Sequence, residues 1–232
     1  MLFLIWETNG HFGSGYSPNG QRPMISKLTP LQHKILHTLK NVSTHWHLTG
    51  GAALAGFYTK HRETRDLDLF FAQKVLNPYD VGPLIHALQE NDIQVDTIQT
   101  TPTFHRYRLS TTQEVCLLDL VADPVPPIEP PYRHEQGFYI DTPYEIFVNK
   151  LCALLSRSEA RDLWDLMELS KQGMDLTKGL QQAVQKDAGF SPLTLAWLLE
   201  SLPLSELKID QTVYDELLQF HQNLIQTLTN NK

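Results

Sequence analysis

Apolar side chains at Leu31, Ile35, Leu36 and Leu39 recur at helical spacing, with Thr29 placed as N-cap and Pro30 as first helical residue. They predict a helix over 30–39. Trp46-His47-Leu48 is a short strand-like run that ends at Gly50-Gly51, and 52–58 then takes a helical pattern. After a charged loop at 60–65, Asp66-Leu67-Asp68-Leu69-Phe70-Phe71 alternates acidic and apolar residues at period two, which predicts a strand with unlike faces. A helix at 79–90 follows Asn77-Pro78. Strands are expected at 93–99, 104–110 and 114–121, the last two joined by a turn at Thr111-Thr112-Gln113. Five prolines between Pro124 and Pro131 exclude a helix or a central strand there. A short extended piece at 138–140 rejoins the sheet. Beyond Thr142 the pattern is helical throughout, at 144–155, 159–171, 176–187, 192–199 and 213–228, with Ser191 as N-cap before Pro192.

This layout is an α+β fold: a small mixed sheet with flanking helices, followed by a C-terminal helical bundle. The expected division is a flexible leader at 1–23, an α/β core at 24–141 and a helical domain at 142–232. The leader rests on four Gly and two Pro within residues 7–23, and Met24 is an alternative start. Residues 1–6 are apolar but too short, and too poor in basic residues, for a signal peptide. No segment reaches the roughly 20 apolar residues of a membrane span, so the expected setting is the cytoplasm.

Composition narrows the function classes. The chain has 232 residues, 41% of them hydrophobic, enough to bury a core without a disulfide or metal staple. Cys116 and Cys152 sit in apolar runs and are expected as small core residues. The formal net charge of -7 argues against a uniformly basic nucleic-acid binder and leaves room for a local basic patch. His45 and His47 share a face of the first strand, but no Cys or third His lies at zinc spacing. Trp164 and Trp197 are expected as helical core aromatics. Phe104-His105-Arg106-Tyr107-Arg108 mixes base-stacking and phosphate-binding residues, as an RNA groove would, and a cross-strand ladder explains it equally well.

The chemistry concentrates in two windows. Side chains at i and i+2 of a strand share a face, so Asp66 and Asp68 project together. Such a pair repels itself unless a cation intervenes, and Mg²⁺ takes a few carboxylates plus waters and phosphates. Gly50-Gly51 lies at a strand-to-helix junction, where free N–H groups suit a phosphate. Asp119 is the polar residue in the apolar run 115–121, which makes it the candidate third ligand or general base. Plain structural roles exist for each: a glycine turn, a charged strand edge, and a hydrogen-bonded strand-end Asp.

Leu48-Thr49-Gly50-Gly51-Ala52-Ala53-Leu54-Ala55, then His61-Arg62-Glu63-Thr64-Arg65-Asp66-Leu67-Asp68, resembles motif I of the DNA-polymerase-β-type nucleotidyltransferases. It is most similar to the AbiEii/AbiGii toxin family, although the 14 residues between the Gly pair and Asp66 are at the long end of the expected spacing. The second window carries Lys150 in a Lys-x-x-Ala-Leu run, then Arg157, Arg161, Asp162 and Asp165, similar to the later motifs of that family. On a continuous helix Lys150, Arg157, Arg161 and Asp165 form one stripe, and a break at 156–158 would instead give two facing helices. A plain amphipathic helix with ion pairs would also explain it.

The resemblance implies a nucleotide pocket between the two halves. Asp66, Asp68 and Asp119 would hold Mg²⁺ or Mn²⁺. Gly50, Gly51, Arg65, Lys150, Arg157, Arg161, Asp162 and Asp165 would bind the nucleotide, with Lys150 among the catalytic residues and Asp162 and Asp165 positioning that lysine or the acceptor. The expected substrate is an NTP, the acceptor an RNA or tRNA end or a protein, and the partner an antitoxin, with no membrane involved. Two rival readings share the first window: an aminoglycoside-type small-molecule nucleotidyltransferase and a non-enzymatic nucleotide-binding module.

Overall fold

The structure, a computed structural model, describes residues 26–42 and 45–230, so the expected leader and Met24 lie outside the described residues. Helix α1 (Pro30–Leu39) begins with a capping box between Thr29 and Gln32, and Leu31, Ile35, Leu36 and Leu39 are buried. Strand β1 (Trp46–Thr49) runs directly into α2 (Gly50–Phe57), so the glycine pair forms the first turn of the helix rather than a loop ahead of it. Strand β2 (Asp66–Phe71), α3 (Pro78–Glu90), β3 (Gln94–Thr100), β4 (Phe104–Ser110) and β5 (Val115–Ala122) follow. Two short strands, β6 (Tyr132–Arg133) and β7 (Tyr139–Ile140), close this part. The period-two pattern does not announce β6, because two exposed residues carry no alternation.

Among the described residues the seven strands form one mixed sheet in the order β3-β4-β5-β2-β1-β7-β6. The centre is β2, antiparallel to β1 and parallel to β5. Its alternation sorts the faces: Leu67, Leu69 and Phe71 are fully buried, while Asp66, Asp68 and Phe70 face the other way and are half-buried. Burying each such Leu or Phe contributes about 1.5–3 kcal/mol, so register is strongly specified here.

Helices α4 (Pro143–Arg157), α5 (Ala160–Lys171), α6 (Leu176–Lys186), α7 (Pro192–Glu200) and α8 (Gln211–Asn230) complete the chain, with a single 3₁₀ turn at Leu204–Glu206. The sheet and this bundle are stapled through the proline-rich connector. Buried Glu145 accepts from the backbone N–H groups of Ile128 and Glu129 at 2.8 and 3.2 Å, and pairs with Lys186 of α6.

Ser158 adopts a left-handed conformation (φ 51°) that ends α4, so of the two arrangements open to the basic stripe the chain takes the broken one, on two packed helices. Other expectations need correction. Trp197 is 69% exposed, because α7 buries Leu195, Ala196 and Leu199 on its opposite side. Trp164 is half-buried and packs edge-on against the His61 ring. His45 precedes β1 and pairs with Asp80 at 2.9 Å, so it shares no strand face with His47. Both cysteines are free, Cys116 buried and Cys152 half-buried.

Candidate active site

Strand register brings the carboxylates together. Asp68 of β2 lies opposite Asp119 of β5 and Thr49 of β1, and Asp66 lies opposite Leu117. Asp66, Asp68 and Asp119 line a cleft of about 390 Å³ with Gly50, Gly51 and Lys150. Burial pushes the Asp68 carboxyl up to about 6, and the charges of Asp119 and then Asp66 add to the rise, while Lys150 and Arg157 oppose it. This wall therefore carries negative charge that the protein does not fully compensate.

Both glycines owe their place to close neighbours as well as to any ligand. Gly50 has φ 63°, and a Cβ there would stand 2.6 Å from Asp68 Oδ2. A Cβ on Gly51 would stand 3.0 Å from the Arg62 guanidinium. Thr49 caps α2 without a side-chain hydrogen bond, so the first N–H groups of that helix, at Gly50 and Gly51, border the cleft.

The facing wall comes from α4, α5 and the 58–65 loop. Lys150 Nζ donates to Asp162 Oδ1 and forms an ion pair with Asp165 Oδ2, both at 2.6 Å. Arg157 forks onto Asp162 at 2.8 Å for each bond. Arg62 forks onto Asp165 at 2.6 and 2.7 Å, and His61 Nε2 reaches Asp165 Oδ1 at 2.9 Å. Burial raises the Asp165 carboxyl, but Lys150, Arg62 and His61 outweigh it and hold it well below the usual carboxylate range. Asp162 is lowered in the same way by Lys150 and Arg157. An ionised Asp165 only accepts, so His61 carries its proton on Nε2 and its Nδ1 faces the Thr59 hydroxyl at 2.7 Å.

Three cations on two carboxylates leave this wall net positive. Lys150 spends a donor on Asp162 and pairs by charge with Asp165, which leaves donor capacity for the cleft that it lines. Asp162 and Asp165 themselves are fully buried behind the cleft and hold the cations rather than meeting a ligand. Arg161 lines the cleft and pairs with Glu159 at 2.5 Å.

Arg65 is exposed, away from the cleft, and Arg62 takes the inward position instead. Arg106, expected in an RNA groove or a cross-strand ladder, stands opposite Asp119 in β4–β5 register and forks onto both of its oxygens at 2.8 and 2.6 Å. Neither arginine is marked by a local pattern, although Arg62-Glu63-Thr64 does match the Arg-x-Thr element of the family motif.

The donor set suits a hard divalent cation: two aspartates in i, i+2 spacing with uncompensated charge, beside a cationic wall for phosphates. Among the described residues no group of three or more His, Cys, Asp or Glu is arranged to hold a metal ion. Asp66 and Asp68 are the better-placed donors, since Asp119 is already taken by Arg106.

A mixed sheet that sets carboxylates against a cationic helical wall defines the nucleotidyltransferase class. Two crystal structures share the fold: JHP933 from Helicobacter pylori and a candidate nucleotidyltransferase from H. pylori. Each is 24% identical with a TM-score of 0.53 and covers 87% of this chain, which spans 95% and 97% of theirs respectively. No curated protein matches. The family model "Nucleotidyl transferase AbiEii toxin, Type IV TA system" matches residues 35–227, and the chain belongs to that family. It is a nucleotidyltransferase.

Proposed function

We propose that the chain moves a nucleoside monophosphate from an NTP to an acceptor hydroxyl on an RNA or tRNA end or a protein, in the cytoplasm, under control of an antitoxin. One observation carries this reading: Asp66, Asp68 and Asp119 stand on adjacent strands across one cleft from Lys150.

Asp66 and Asp68 would hold Mg²⁺, which supplies charge neutralisation on the phosphates when bound. The remaining donor capacity of Lys150, with Arg157, would bind and orient the outer phosphates, and the N-terminus of α2 at Gly50 and Gly51 would take one of their oxygens. Fixed positive groups of this kind stabilise the charge that develops on the leaving pyrophosphate, which is where most of the rate acceleration in such transfers arises. Arg62 and His61 act behind them, holding Asp165 and hence Lys150 in place. Asp119 would share a second metal ion and help deprotonate the acceptor hydroxyl once free of Arg106.

Incubating the protein with Mg²⁺ and α-³²P-labelled NTPs, with RNA and protein extracts as acceptors, tests the reading. Labelled RNA or protein is expected. Asp66→Asn with Asp68→Asn should lower transfer by about 10³-fold or more, an order of magnitude set by electrostatic contributions of this kind. No label on any acceptor would overturn the proposal.

A further inference from the structure

Lys150, Arg62 and Arg157 are held from behind, on Asp162 and Asp165, which the cleft does not reach, and Arg161 pairs with Glu159 on the far, helical wall. Arg106 differs. It covers Asp119, a carboxylate that lines the cleft, and it does so with both fork donors on both oxygens. The two partners are unequally held. The Asp119 side chain is 7% exposed, on a central strand, while the Arg106 side chain is 38% exposed. Lys150, by contrast, is 6% exposed and clamped by two carboxylates.

A partly exposed guanidinium exchanges acceptors more readily than a buried one, because solvent screens part of its attraction to Asp119. Phe104 lies two residues before it on the same strand face, and the guanidinium sits 5.4 Å from that ring's centroid while it forks onto Asp119. A triphosphate in the same cleft carries more negative charge than one carboxylate and offers further oxygen pairs for a guanidinium to fork onto.

We infer that Arg106 is a removable lock on Asp119: without nucleotide it occupies both carboxylate oxygens and keeps a divalent cation off them, and a bound triphosphate draws the guanidinium away. Arg106 is thus a positioning residue, and Asp119 joins the site only when substrate arrives. The cleft then exposes its full carboxylate set only to a chain that already holds nucleotide. The inference rests on the nucleotidyltransferase reading above and extends it to the order of assembly.

Mn²⁺ binding to the full chain, followed by the electron paramagnetic resonance signal of the free ion, tests it without relying on turnover. Arg106→Gln is expected to bind Mn²⁺ about tenfold more tightly than the wild type in the absence of nucleotide, about one decade in affinity. Adding Asp119→Asn to that variant should remove the gain. With Mn²⁺ bound by the nucleotide alone subtracted in a protein-free control, a non-hydrolysable α,β-methylene NTP should tighten Mn²⁺ binding by a larger factor in the wild type than in Arg106→Gln. Unchanged Mn²⁺ affinity in Arg106→Gln, or a gain that survives Asp119→Asn, overturns the lock. Thermal melting checks the fold. Should Arg106→Gln fail to fold, Arg106→Lys keeps the charge, loses the fork and should show part of the gain; wild-type affinity there overturns the lock as well. Label transfer by the wild type separates the two levels. Transfer with identical Mn²⁺ binding in both proteins sinks the lock alone, whereas neither transfer nor Mn²⁺ binding by the wild type sinks both.

Discussion

Gly50 concentrates two demands in one residue. Its backbone is left-handed, and its hydrogen occupies space that a methyl would contest with Asp68. Gly50→Ala should therefore cost on the order of 1–3 kcal/mol, combining backbone strain with displacement of the Asp68 carboxylate. Urea denaturation would show the loss, and label transfer should fall with it. Gly51→Ala meets the far end of Arg62 at 3.0 Å and the Thr64 hydroxyl at 3.3 Å, side-chain ends that need give only a few tenths of an ångström, and its backbone is not left-handed, so its stability cost should be smaller. Equal losses from the two substitutions would contradict this ranking. At this scale the aspartates are legible in the sequence because strand alternation alone puts Asp66 and Asp68 on one face. Arg62 and Arg106 are not, since the reach of a long side chain depends on what the fold sets beside it.

At the scale of elements, the break between α4 and α5 decides how the cationic wall is built. Ser158 turns the chain left-handed, and α5 then returns beside α4 so that Asp162 and Asp165 meet Lys150. A serine suffers a steric penalty in that conformation which glycine avoids. Ser158→Gly should stabilise the protein by roughly 0.5 kcal/mol, because loss of the hydroxyl's 3.3 Å bond to the Leu154 carbonyl offsets part of the gain. Calorimetry should show a rise of about 1–2 °C in Tm, with unchanged label transfer. A fall in Tm would mean that the hydroxyl bond outweighs the backbone strain. Element positions are mostly readable from periodicity: α1, β2 and β4 span 30–39, 66–71 and 104–110 as the pattern predicts. The break between α4 and α5 is readable as a place, since the helical pattern stops at 155 and resumes at 159, but its left-handed geometry is not, because Ser156-Arg157-Ser158 has no Gly or Pro to announce such a cap.

The whole molecule carries a strain at the seam between sheet and bundle. Asp141, at the end of β7 just before α4, is 2% exposed, and burial pushes its carboxyl up to about 7 despite a hydrogen bond from Thr49. His47, 3.3 Å away, is lowered to about 4 by burial and stays neutral through this range. His47 therefore contributes stability that rises with pH between about 4 and 6.5, whereas Asp141, folded above its unfolded 3.8, holds a proton that the unfolded chain has lost, so its own contribution falls as pH rises from about 4 to 7 and then levels. Asp141→Asn should remove that slope and keep the bond from Thr49. The variant's advantage should grow from pH 5 to pH 7, reaching on the order of 1–4 kcal/mol at pH 8. Chemical denaturation across that range is the check, and a pH-independent difference would refute it. The sequence by itself determined the elements, the sheet-then-helix order and the candidate carboxylates, because hydrophobic period and strand alternation are local properties of the chain. It also carried enough of the two motif windows for the family to be recognised. Only the tertiary structure decided that Asp162 and Asp165 are fully buried and hold Arg157 and Arg62 as well as Lys150, that Arg62 rather than Arg65 turns inward, and that Arg106 covers Asp119. Those outcomes depend on strand register and helix docking, which bring together groups as far apart in sequence as Arg62 and Asp165, and no local pattern encodes which cation each carboxylate will meet.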